Sequence, residues 1–309
     1  MFVSVVRSML VVIAVCCALA LAGGPAAQAS DPGDQGIAME HVRAELAFDR
    51  TSMLPGGSAT VGVRFVIEDG WHLYWRNSGD SGMPISVTFE APEGVRIGAI
   101  QWPAPERYVY GGGSVDYIYE HEVALLAEVE IDQGLAIGDR IEITASFELL
   151  ACKEACVFGS GARSSVIGIA ESGSMSVPDW MKKNLERIPR RDQSSLRVRW
   201  DGTDLLISAY EREGAQRMSF FPSAPADVRP SKPEIDGISE TGLLRIAYSQ
   251  QIIGAPLVAG VVEVMGPDGP SWIEIETTPP AAIADEGGAN EPTPPTPTTN
   301  QTINNRSGD

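Results

Sequence analysis

An all-β protein built around an antiparallel β-sandwich is what this sequence predicts, on three observations. Short segments with apolar residues at every second position recur along the chain, and Gly, Pro and Asp clusters separate them. Helical periodicity is confined to one short stretch near residue 180. The 309 residues are enough for one large or two small domains.

Residues 1–29 hold Arg7, an apolar run from Met9 to Ala22 and the small-residue site Ala27-Gln28-Ala29, which together predict an export signal cleaved near Ala29-Ser30. The run is shorter than the roughly 20 apolar residues that cross a bilayer and ends in Gly-Gly-Pro. Cys16 and Cys17 leave with it, and the protein is placed in the periplasm, an oxidising compartment. A Gly/Asp-rich linker covers 30–40. The first sandwich is expected over 41–172, from the strand candidates HVRAELAFDR, SATVGVRFVIEDG, PISVTFEA, VRIGAIQW, VALLAEVEI, RIEITASFELL and RSSVIGIA. In the second of these Val61, Val63, Phe65 and Ile67 share one face. Turns are expected at Glu90–Gly94, Asp132–Gly138 and Gly159–Gly161.

Residues 173–195 read as a linker helix over VPDWMKKNLERI, capped by Ser176, with Pro178 in its first turn and Pro189 closing it. Strand-like runs resume at LRVRWDG, DLLISAY, QRMSFFPS, GLLRIAYS, APLVAGVVEVM and SWIEIE, which predicts a second, smaller β domain over 196–276. Residues 277–309 are rich in Pro and Thr with little to bury, the composition of a disordered tail.

Charge narrows the partners. With 41 acidic against 23 basic residues the net charge is -18, which argues against nucleic acid and against an anionic membrane surface.

The chemistry-bearing motif is FELLACKEACVFG, residues 147–159, with the two cysteines that remain after the signal. Ile141, Ile143, Ala145, Phe147 and Leu149 alternate with Glu142, Thr144, Ser146 and Glu148 along the strand leading to it. Were that strand to continue, Cys152 and Cys156 would lie about 13 Å apart, at roughly 3.3 Å per residue. A bridge needs Cα atoms roughly 4.4–6.8 Å apart, so a bonded pair requires the strand to break through Lys153-Glu154-Ala155. Gly159 and Gly161 would then reverse the chain and set the pair near a hairpin crown. Such a small loop is a weak staple, whereas an accessible disulfide can exchange with a visiting thiol. Lys153 favours a Cys152 thiolate and Glu154 opposes it, so the nucleophile is left open. Three readings stand: a redox pair, a local staple in a non-catalytic binding or assembly protein, and a dithiol for Cu(I). The last is disfavoured by two thiolates alone, with His41, His72 and His121 distant in sequence.

The surrounding motifs FVIEDGWHLYWRNSGDSGMP, IQWPAPERYVYGGG, VDYIYEHEVALLAEVEI and FELLACKEACVFGSG occur in the order seen in a known family. Over residues 41–170 the chain resembles the N-terminal periplasmic domain of the thiol:disulfide interchange protein DsbD, in the ScsB-like branch whose cysteines also sit in a CKE-x-C context. The segment up to residue 276 resembles the one that succeeds this domain in ScsB-type proteins. The resemblance implies an immunoglobulin-like sandwich that passes electrons to thioredoxin-like or other thiol proteins of the periplasm, with no cofactor. By the same resemblance Cys152 and Cys156 match the redox pair, and Trp71, His72 and Tyr74 match the aromatic stretch that flanks it. Arg107, Tyr108 and Tyr110 correspond to a cap loop that shields the disulfide, without the Asp-Glu-Phe of the DsbD cap, and Tyr119 and Glu120 to a tyrosine-acid step. Packing in a sandwich core suits Trp71 and Trp102 equally well. In the family a membrane-embedded electron carrier and a thioredoxin-like domain come next. Here a tail takes their place, so either a separate membrane protein is expected to reduce the pair, or the circuit is lost and the fold is kept for binding.

Overall fold

The computed structural model describes residues 39–209, 217–223, 230–231, 238–240, 242–249, 252–254 and 257–281. The expected export signal and most of the expected tail lie outside these residues. By its contacts the chain divides into two units: one takes in the chain up to Glu106 and Ile118–Ile188, the other Arg107–Tyr117 and the chain from Pro189 onward.

In chain order the strands are β1 (Val42–Phe48), β2 (Arg50–Met53), β3 (Ser58–Ile67), β4 (His72–Gly79), β5 (Ser86–Glu90), β6 (Val95–Ile97), β7 (Glu106–Val109), β8 (Val115–Glu120), β9 (Glu122–Ile131), β10 (Arg140–Cys152), β11 (Cys156–Ile169) and β12 (Ser174–Met175). The helix α1 (Asp179–Glu186) comes next, then β13 (Leu196–Asp201), β14 (Asp204–Ala209), β15 (Arg217–Pro222), β16 (Ile238–Ser239), β17 (Leu243–Ala247), β18 (Val258–Gly266) and β19 (Gly269–Thr277).

The first unit is a sandwich. One sheet runs β1-β3-β9-β6; the other runs β12-β2-β11-β10-β4-β8, with β5 also paired to β10. The period-two residues Val61, Val63 and Phe65 are wholly buried, and from the opposite sheet Ile141, Ile143, Ala145, Phe147 and Leu149 bury the inward face of β10. Phe65 and Phe147 meet edge to face, ring centroids 5.2 Å apart. The run VALLAEVEI does not alternate because both its faces are covered. Val123, Leu125, Ala127 and Val129 point into the sandwich, while Ala124 and Leu126 pack under Met181, Trp180 and Val177 of the α1 segment. Asn184 of α1 accepts the Ala124 amide at 3.0 Å, tying helix to sheet.

Three sequence expectations need correction. Pro178, not Ser176, is the N-cap of α1, and it offers no side-chain cap. His72–Gly79 and Val115–Glu120 are strands that alternation does not reveal: Leu73, Tyr74 and Trp75 are all buried, as are five consecutive residues of β8. Gly159 and Gly161 lie inside β11 instead of turning the chain. Gly161 stands opposite Phe147, where an added Cβ would lie 3.1 Å from the phenyl ring. The glycine serves close approach of an aromatic side chain, not reversal.

The second unit has two small sheets, β13-β14-β17 and β16-β15-β18-β19. Leu205, Ile207, Met218, Phe220, Leu244, Ile246, Val262 and Ile275 form its core.

Candidate functional site

The cysteines close the tip of the β10–β11 hairpin. The ladder runs in register from Arg140 opposite Gly168 to Cys152 opposite Cys156, which leaves Lys153, Glu154 and Ala155 as the connection. The Lys153 amide donates to the Ala155 carbonyl at 3.1 Å, closing this turn. Being directly opposed brings the two Cα atoms to 4.1 Å, and the sulfurs are bonded. The strand therefore breaks directly after the first cysteine, through the three residues anticipated.

Strand parity decides which face carries the disulfide. Odd-numbered residues of β10 fill the core, so Cys152, Leu150 and Glu148 point outward. Register adds Cys156, Phe158 and Ser160 to that face. The two sulfurs differ in access. Cys152 is 3% exposed, covered by Tyr74, Ile118 and Leu150, whereas Cys156 is exposed and Phe158 beside it is 57% exposed.

Cys152 also pairs on its other side, with His72 of β4. His72 is buried, and its Nε2 lies 3.2 Å from the Tyr74 hydroxyl. Tyr74 is held in turn: its ring fills a space where a Cβ on Gly82 would come within 2.2 Å. Trp71 does not join this cluster. It stacks on His41 with centroids 3.8 Å apart, and His41 bonds Glu68 through Nδ1 at 2.7 Å.

Two histidines with left-handed backbone, His41 (φ 68°) and His121 (φ 62°), hold the end of β3. Their carbonyls accept the amides of Glu68 at 2.9 Å and Ile67 at 2.7 Å. Non-glycine residues in this region are uncommon and gather at functional sites. The Lys153 side chain lies over Gly70 of the β3–β4 turn, so the cysteine hairpin and this turn meet.

The other residues singled out in the sequence take a range of positions. Tyr119 points inward, on the strand face opposite Ile118, and donates to the Pro103 carbonyl at 2.7 Å. Complete burial raises its pKa well above the ordinary tyrosine value, against smaller opposing effects of Arg187 and Arg76. Glu120 is half-buried at the end of β8, and Trp102 is half-buried as well. Arg107, Tyr108 and Tyr110 group with the second unit. There Arg107 donates to the Phe220 carbonyl at 2.6 Å and lies over the rings of Tyr117 and Phe221, while Tyr108 meets Tyr110 edge to face at 4.8 Å. Among the described residues no group of three or more His, Cys, Asp and Glu side chains converges as a metal site, and no helix is long and apolar enough to cross a membrane.

Sequence reasoning missed Leu150, Ile118 and Phe158. A strand parity count carried past Leu149 would have found Leu150 and Phe158. Ile118 required the neighbour order of strands.

Comparison with known proteins adds the family. Residues 38–166 match the model described as thiol:disulfide interchange protein DsbD, N-terminal. The N-terminal periplasmic domain of ScsB from Proteus mirabilis is similar in fold, with a TM-score of 0.56 at 14% identity, over 80% of this chain and 98% of that one. The N-terminal domain of Neisseria meningitidis DsbD in the reduced form is 19% identical over 44% of this chain and 90% of that one, with a TM-score of 0.21. No curated protein matches the chain. With an all-β sandwich, a bonded cysteine pair at its hairpin tip and this family match in hand, residues 38–166 constitute a DsbD N-terminal-like domain.

Proposed function

We propose that this protein is a periplasmic thiol–disulfide exchange module in which Cys156 is the sulfur that partner proteins meet. The observation that carries the reading is the unequal access of the two bonded sulfurs: Cys156 is exposed at the tip, and Cys152 is 3% exposed behind it. Exchange proceeds by in-line attack on a reachable sulfur, so a partner thiolate attacks Cys156 and the bonding pair leaves on Cys152. In the reducing direction the Cys156 thiolate attacks a partner disulfide, and Cys152 resolves the mixed disulfide. A thioredoxin-like or other thiol protein is the partner this chemistry suits, with electrons supplied by a separate carrier. Tyr74 and Ile118 shield Cys152 and so keep the resolving sulfur from side reactions.

The test is titration of the full-length protein against a glutathione redox buffer, with Cys152→Ser used to trap partners on Cys156. A defined redox midpoint and a trapped mixed disulfide support exchange. A pair that stays oxidised in excess dithiothreitol while the protein remains folded makes the bridge a structural staple and removes this function.

A further inference from the structure

We infer that His72 is the proton-exchanging partner of the Cys152 thiol, an assignment that rests on the exchange reaction proposed above. The buried sulfur poses the problem. A thiol removed from water holds its proton tightly, because desolvation disfavours the thiolate, yet only the thiolate resolves a mixed disulfide. Imidazole is the side chain that exchanges protons near neutral pH, and β4 sets one directly across from Cys152. Directly opposed residues of neighbouring antiparallel strands project to the same face with Cβ atoms about 4.5–5.5 Å apart. Cys152 and His72 are 3% and 6% exposed, so they share one desolvated space. Tyr74, two residues along β4 and so on the same face, packs on Cys152 and holds the imidazole through Nε2 at 3.2 Å. The imidazole is therefore held on the strand face that also carries Cys152.

In the mixed disulfide between Cys156 and a partner, His72 takes the proton of the Cys152 thiol. The resulting thiolate attacks Cys156 Sγ, the Cys152–Cys156 bond forms, and the bond from Cys156 to the partner sulfur breaks. The partner sulfur leaves as a thiolate and is protonated by water, and His72 returns its proton to solvent. Two electrons pass to the partner, and the module is left oxidised. In the opposite direction the imidazolium protonates the Cys152 thiolate as it leaves.

Other titratable groups stand around this pair. The Tyr74 hydroxyl lies on β4, and Asp116 and Glu120 fall on the same face of β8 as Ile118. Lys153 and Glu154 occupy the hairpin turn, and His41 with Glu68 and His121 with Asp69 hold the β3–β4 turn. Among the histidines, His121 is exposed and the His41 side chain is 22% exposed, so His72 is the buried one.

Reduced full-length protein loaded with oxidised glutathione forms the Cys156 mixed disulfide, and its resolution is followed from about pH 6 to about pH 9 in wild type, His72→Gln and Tyr74→Phe. His72→Gln slows resolution about tenfold or more at the acid end, and its rate converges with wild type where Cys152 ionises unaided. Tyr74→Phe retains the imidazole-dependent profile with a displaced midpoint. In the unmodified protein, NMR titration is expected to give different His72 midpoints in the oxidised and reduced states, because reduction places an ionisable thiol across from it. Equal pH profiles for wild type and His72→Gln, or one His72 midpoint in both redox states, overturn the assignment and leave the exchange reading standing. A wild-type protein that never forms the mixed disulfide overturns the exchange reading and this assignment together.

Discussion

Leu150 and Phe158 stand directly opposite each other on the outward face of the cysteine hairpin, two residues below the disulfide. Phe158 is 57% exposed, so its ring contributes little to the core and offers an apolar ledge beside Cys156. A partner protein that reaches Cys156 covers that ledge; glutathione is too small to do so. Phe158→Ser is expected to leave stability within about 0.5 kcal/mol. It is expected to slow exchange with a thioredoxin-like protein about tenfold, a loss of about 1.4 kcal/mol, while exchange with glutathione is unchanged. Parallel rate measurements with the two thiols check this.

The cysteines are expected to part company on substitution. Cys152→Ser keeps the exposed thiol and accumulates a stable mixed disulfide with glutathione, visible by mass spectrometry. Cys156→Ser leaves only the covered sulfur, 3% exposed, and reacts with glutathione and with thiol-labelling reagents far more slowly until the protein is unfolded. Equal labelling rates of the two folded variants would contradict the assignment of Cys156.

Gly161 faces the Phe147 ring with no room to spare, since an added Cβ would lie 3.1 Å from it. Phe147 is itself locked against Phe65 in the sandwich interior. Gly161→Val is expected to destabilise the domain by about 1–3 kcal/mol through overpacking, read as a lower urea midpoint at unchanged slope.

Tyr119 ties stability to alkaline pH. Its folded pKa is raised by burial above the unfolded value of about 10, so the folded state holds its proton more tightly than the unfolded chain does. Stability from this group is complete below about pH 10 and falls as pH rises from there toward the folded pKa. Tyr119→Phe loses the bond to the Pro103 carbonyl, about 1 kcal/mol, and is expected to lose this alkaline slope as well. Urea unfolding at neutral pH and above about pH 10 separates the two effects.

Much of the scaffold was legible because its strands are buried on one face. Period-two alternation marks a half-buried strand, and β3 and β10 carry it cleanly, while glycines mark the turns after Glu90 and Asp132. Where both faces are covered the signal disappears. His72-Leu73-Tyr74-Trp75 is buried throughout, so β4 escaped notice, and with it the strand that borders the cysteines. The glycines after the pair misled for a related reason: in isolation a glycine that accommodates an aromatic ring looks the same as one that turns the chain.

By itself the sequence determined that the chain is all-β, that two thiols four residues apart need a break at Lys153-Glu154-Ala155 to be joined, and that its motifs resemble those of the DsbD N-terminal domain. These are local properties, set by alternation, spacing and residue type. Tertiary structure alone decided that Cys152 is covered and Cys156 open, and that His72 rather than Trp71 stands across from the buried cysteine. Those facts depend on which strands become neighbours and in what register. Pairing is a choice among distant segments made by the burial of the whole sandwich, and a one-residue slip would have turned every one of these side chains to the other face.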